Sequence, residues 1–123
     1  MYYDYRKFET YTKLIQAILT SESDNLKHAP EGKSVPEKIA SLANLLSSEI
    51  IKQLNESVKP LDSFKNHEEW SDYETNRYES TMAFVLGNLS RASQDSLNLT
   101  QTPKQWVEFA ISHGQNFCEL YKK

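Results

Sequence analysis

The sequence predicts an all-α chain: an antiparallel four-helix bundle, formed as one domain over residues 1–123. Three observations predict it. Between its breaks, apolar residues recur at steps of three and four, and nowhere in sustained alternation. Turn residues are scarce, with 3 glycines and 4 prolines in 123 residues. An all-β fold needs a turn signal every ~8–12 residues. Finally, three apolar runs are each preceded by a pair of the type that caps a helix start: Ser34 with Glu37, Asn66 with Glu69, and Thr102 with Gln105.

The first helix is expected from Asp4 to Glu22. Its stripe is Phe8, Tyr11, Ile15 and Ile18, flanked by Leu14 and Leu19. A polar segment, Ser23 to Lys33, holds Pro30 and Gly32 and reads as a loop. The second helix opens on the Ser34/Glu37 box, with Pro36 in the first turn, where a missing N–H costs nothing. Ile39, Leu42, Ala43, Leu46, Ile50 and Leu54 then share one face. Leu45 and Ile51 lie off that face and are candidates for a dimer contact. Pro60 follows the helix end.

The third helix is expected from Asn66 to Leu97. Trp70, Tyr78, Met82, Val85, Leu89 and Ala92 make its main stripe, widened by Tyr73, Phe84, Leu86 and Leu97. Gly87 falls inside it, at a cost of ~1 kcal/mol relative to Ala. A break there would make five helices; a close crossing would keep four. The fourth helix starts at Thr102 with Pro103 at its first position. Trp106, Phe109, Ala110, His113, Phe117, Leu120 and Tyr121 form its expected inner stripe. Val107, Ile111, Gly114 and Cys118 form a second.

Composition narrows function. The chain carries 14 Lys+Arg against 17 Asp+Glu, a formal charge of −3. That balance argues against direct nucleic-acid binding, which favours a basic surface. Glycines too scattered for a GxGxxG or GxxxxGK pattern leave no phosphate cradle. One cysteine permits no internal disulfide framework. No apolar run approaches the ~20 residues of a membrane span. The N-terminus shows no basic-then-apolar leader, so a cytoplasmic, non-membrane protein is expected.

Catalytic patterns are mostly missing. His67-Glu68-Glu69-Trp70-Ser71 fails the His-Glu-x-x-His zinc pattern. No Glu-x-x-His exists to build a di-metal bundle site. Glu69 and Asp72 form a single Glu-x-x-Asp without the second pair that a helical Mg²⁺ pyrophosphatase would use. No arginine is followed by four to six residues and then the histidine of helical RNases. His113 and Cys118 lie five residues apart, about 140° round a helix. No cofactor, metal or enzymatic activity is expected.

Two features remain. Glu74 lies on the inner face between Trp70 and Tyr78, where an unpaired carboxylate is costly. Arg77, three residues on, is its expected partner, making Glu74, Arg77 and His113 the candidate buried polar residues. Around it runs an acidic, aromatic segment. Glu68, Glu69, Asp72 and Glu79 are interleaved with Trp70 and Tyr73, and Glu68, Asp72 and Glu79 fall within about 40° on one face. Carboxylates steer association and aromatics anchor it. These six residues are the expected docking surface for a basic protein partner. The function expected is therefore protein binding, as an inhibitor, an immunity or antitoxin-like protein, or an adaptor subunit. The alternatives are a helical subunit of a nucleic-acid assembly, favoured by Lys7, Lys13, Lys27 and Lys33, and an enzyme whose site gathers Glu74, His113 and Cys118 from distant helices.

Overall fold

A computed structural model describes residues 2–20, 34–89 and 102–121. The expected loop at Ser23 to Lys33, the continuation of the third helix through Ala92 to Leu97, and Lys27 all lie outside the described residues. Among those described there are four α-helices and no strand. A short 3-10 turn, Asp4–Arg6, leads into α1, Lys7–Thr20. Then come α2, Val35–Ser57, a second 3-10 turn at Leu61–Ser63, α3, His67–Leu89, and α4, Pro103–Tyr121.

The helix starts follow their caps. The Ser34 hydroxyl accepts from the Glu37 amide at 3.3 Å, and Glu37 accepts from the Ser34 amide at 3.2 Å. Asn66 accepts from the Glu69 amide at 2.8 Å. Thr102 and Gln105 exchange the same pair of bonds at 3.2 and 3.0 Å. Each cap satisfies amides that a helix N-terminus otherwise leaves unpaired.

The helices close a ring: α1 packs on α2 and α3, and α4 packs on α3 and α2. Consecutive α2 and α3 therefore lie across the bundle from each other. The pairings also set directions. Arg6 meets Glu74 and Thr10 meets Tyr78, so α1 and α3 run parallel. Asp4 meets Asn55, at the far end of α2, so α1 and α2 run antiparallel. Phe84 meets Phe109 and Asn76 meets Cys118, so α3 and α4 are antiparallel. The bundle thus mixes parallel and antiparallel neighbours.

One buried cluster draws on all four helices. On α2 every expected core residue is buried, from Ile39 to Leu54, and Ile51 joins them. Ile51 is thus part of the core and not of a dimer surface; Leu45 is half-buried.

Two inner faces are turned from their expected setting. On α1, Thr10, Leu14, Ala17 and Ile18 face inward, while Phe8 is 75% exposed. The cause is polar: Thr10 donates to the Arg6 carbonyl at 2.7 Å and accepts from the Tyr78 hydroxyl at 2.8 Å. On α4, Val107, Ile111 and Gly114 are buried with Trp106 and Ala110. Phe109, Phe117, Leu120 and Tyr121 are 47–86% exposed. Here the cause is steric. A Cβ on Gly114 would lie 2.8 Å from Cα and N of Thr81. Only glycine lets α4 cross α3 that closely, and the crossing fixes which α4 face turns in. Gly87 has no such role. The helix runs unbroken through it, and a Cβ there would meet nothing within 4 Å.

Candidate functional site

The acidic segment occupies the first half of α3. Glu68, Glu69, Asp72 and Glu79 are exposed. Glu68 and Glu69, in the first turn, also suit the positive end of the helix dipole. The aromatics among them do not form an open anchor. Trp70 is buried; its indole N–H donates to the Lys59 carbonyl at 3.2 Å and its ring lies 5.1 Å from Tyr2. Tyr73 is half-buried; its hydroxyl accepts from the Lys59 amide at 3.1 Å, and its ring packs 4.9 Å from Phe64. Both side chains fasten the α2–α3 connection to α3. Indole and phenol polar groups need partners when buried, and the extended backbone after α2 offers them.

Glu74 is buried at 2% exposure, as expected, but Arg77 is not its partner. Arg6 Nε donates to Glu74 Oε2 at 2.7 Å, and the Tyr5 hydroxyl donates to Oε1 at 2.5 Å. The Arg6 guanidinium also lies 4.5 Å from the centre of the Tyr78 ring. Burial works against the charge on Arg6, but the bond to Glu74 and its charge more than offset this. The guanidinium is held further above its ordinary range. Burial, then the bond to Glu74, pushes the Tyr5 phenol up as well.

Arg77, equally buried, is taken by the end of α2. It donates to the Leu54 carbonyl at 3.0 Å, to the Tyr3 hydroxyl at 3.4 Å, and to the Ser57 hydroxyl. Among the described residues no carboxylate lies within the 4.0 Å of an ion pair with it. The negative end of the α2 dipole is its counter-charge. That is why an i, i+3 pairing failed: Arg77 points across the bundle to α2, and Glu74 points to α1.

A cleft of about 440 Å³ opens between α3, α4 and the α2–α3 connection. Three exposed carboxylates line it, Glu69 and Asp72 from α3 and Glu119 from α4. Phe64 and Tyr73 form an aromatic wall, with Lys59 over the Tyr73 ring at 5.9 Å. Cys118 also lines it. Its thiol donates to the Asn76 carbonyl at 3.2 Å and meets Ser80 Oγ at 3.0 Å. Neither Glu74 nor His113 reaches this cleft. His113 is half-buried, with its ring stacked on Phe84 at 4.9 Å and edge-on to Phe109 at 4.2 Å. The three residues considered for an assembled active site are therefore apart.

Sequence reasoning missed Tyr5, Arg6, Lys59, Phe64 and Glu119. Arg6 and Glu74 are 68 residues apart, and no local spacing signals such a pair. Among the candidate cations, Lys7 is exposed, whereas Lys13 is held by Glu9 at 3.0 Å and Glu79 at 3.7 Å. Among the described residues no three His, Cys, Asp or Glu side chains gather as a metal site. No described helix is long and apolar enough to cross a membrane. No family model, no curated protein and no solved structure matches the chain.

Proposed function

We propose that this chain works by binding a basic protein, as an inhibitor, an immunity or antitoxin-like protein, or an adaptor subunit. The observation that carries the reading is the convergence of Glu69, Asp72 and Glu119, from two helices, on one cleft with an aromatic wall. A lysine or arginine of the partner would enter between these carboxylates and lie against Phe64, since Lys59 already lies over the Tyr73 ring. There both charge and ring face favour it. Glu68, exposed on α3, extends the same negative field outward, whereas Glu79 faces Lys13 of α1 at 3.7 Å. Lys59 and Arg77 also line the cleft; the end of α2 takes up the Arg77 charge, and the three carboxylates outnumber Lys59.

The test has two steps. Tagged chain is used to isolate a partner from source cells. Association of that partner with Asp72→Lys/Glu119→Lys is then measured by stopped flow at low and high salt. Steering of this kind is worth about tenfold or more in on-rate at low salt and fades as salt rises. A double variant that associates as fast as the parent chain would remove the cleft as the docking surface.

A further inference from the structure

Lys59 places a cation of the chain's own inside the acidic cleft. Its backbone is pinned twice by α3. Its amide donates to the Tyr73 hydroxyl at 3.1 Å, and its carbonyl accepts from the Trp70 indole at 3.2 Å. The residue is therefore held at the cleft whatever its side chain does. That side chain is exposed, and its ammonium lies 5.9 Å from the centre of the Tyr73 ring.

The carboxylates beside it leave it unclaimed. Glu69, Asp72 and Glu119 line the same cleft. Yet among the described residues no ion pair within 4.0 Å includes Lys59 or any of the three. The cleft thus holds three carboxylates without an ion pair and one internal cation that rests on a ring instead. A ring contact of this kind at an exposed site amounts to about a two- to fivefold preference.

An incoming cation meets this arrangement at Phe64, whose ring lies 4.9 Å from that of Tyr73. Two cations on adjacent rings repel, and they draw on the same carboxylates. The lysine, on a flexible stem and with no ion pair to hold it, is the one that yields.

We propose that Lys59 is the resident cation of the cleft: it competes with the partner's basic side chain and swings off Tyr73 when that side chain enters. The inference rests on the cleft reading above and adds what regulates it. In the free chain Lys59 covers Tyr73 and weakens the negative field, so every binding event carries the cost of displacing it. Neutralising Lys59 removes the competitor and uncovers the ring.

A fluorescein-labelled tetra-arginine peptide is the probe, followed by anisotropy in about 0.1 M salt. Lys59→Met keeps the apolar stem. Both pinning bonds are made by the backbone, so the connection is kept as well. This variant should bind the probe about threefold tighter than the parent chain, or more. Lys104→Met makes the same change in net charge about 21 Å along α4 from Cys118. That lies beyond the screening length of ~10 Å, so this variant should match the parent. The parent chain gives a second readout by NMR that needs no variant. The Lys59 ε-methylene protons, over the Tyr73 ring, should be shifted upfield in the free chain. They should return to the ordinary lysine position as the probe saturates the cleft.

A Lys59→Met chain that binds no tighter than Lys104→Met overturns the inference. So do Lys59 protons that keep their upfield shift with the probe bound. Asp72→Lys/Glu119→Lys separates that outcome from failure of the cleft reading. If this double variant loses the probe, the cleft reading stands and only the role of Lys59 falls. If it binds as the parent does, both fall.

Discussion

Arg6 and Glu74 meet at 2.7 Å across 68 residues of sequence, and both are largely buried. This pair, with Tyr5 as a second donor, fixes α1 against α3 in a parallel register. A buried ion pair is a poor source of net stability, because desolvation consumes most of its Coulomb gain. Its value lies in alignment. Sliding α1 by one turn would strand a carboxylate in the core and a guanidinium on an aromatic ring without its anion.

Removing both partners should therefore cost less than the two single removals added together. Glu74→Leu or Arg6→Met, measured by urea unfolding, is expected to lose about 3–5 kcal/mol. The double variant should lose clearly less than the sum of the two, since no charge is left uncompensated. Additive losses would mean that the two side chains do not act as a unit.

The two helical glycines predict opposite signs. At Gly114 a methyl group would press into the Thr81 backbone at 2.8 Å. Gly114→Ala should then force the α3–α4 crossing apart and destabilise by about 1–3 kcal/mol. At Gly87 the added methyl meets nothing within 4 Å. Gly87→Ala should stabilise by up to about 1 kcal/mol through helix propensity alone. Thermal melts of the two variants should move in opposite directions.

Much of the fold was legible because it is local. The Ser34, Asn66 and Thr102 caps, the α2 stripe from Ile39 to Leu54, and the all-α class depend on residues within a turn or two of one another. What was not legible depends on contacts between helices. Phe8 and Phe109 read as core because apolar periodicity cannot tell an inner face from an unpartnered outer one. The inward face of α4 was set by Gly114 against Thr81, and that of α1 by Thr10 against Tyr78. Of the proposed docking surface, the exposed carboxylates Glu68, Glu69, Asp72 and Glu79 were readable. Glu119 and Phe64 joined the cleft only through the crossing of α4 and the path of the connection. Trp70 was misread as an anchor because nothing local shows that the Lys59 carbonyl takes its N–H.

Stability should fall in alkali. Burial pushes the Tyr3 phenol up to about 12, with the Arg77 guanidinium only partly opposing it. An unfolded tyrosine ionises near 10. Between those values the unfolded chain gives up its proton first, so it binds fewer protons than the native chain and stability drops as pH rises. Below pH ~10 the contribution is fully present. Two pKa units correspond to at most about 3 kcal/mol. The Tyr5, Tyr78 and Lys13 groups are also raised and push the same way. Melting temperature against pH should decline between about pH 10 and 12, and Tyr3→Phe should flatten that decline while lowering stability at neutral pH.

Arg77 should act on the end of α2. Its guanidinium holds the Leu54 carbonyl, the Ser57 hydroxyl and the Tyr3 hydroxyl together. Ser57 passes the connection on by donating to the Gln53 carbonyl at 2.7 Å. Replacement by methionine keeps the apolar stem but removes the donors and the charge opposing the α2 dipole. Hydrogen bonds to a charged group are worth about 1.5–3 kcal/mol, and a loss on the order of 3 kcal/mol is expected for Arg77→Met. Arg77→Lys keeps the charge but cannot span carbonyl and hydroxyl with a planar fork, so it should recover only part. The loss should also be uneven. Amide exchange should quicken first in the last turn of α2 and at Tyr3, whose own amide donates to Asn55 at 2.8 Å, while the Leu42–Ile50 stretch keeps its protection. Uniform acceleration along α2 would show that Arg77 supports the whole core and not the helix end.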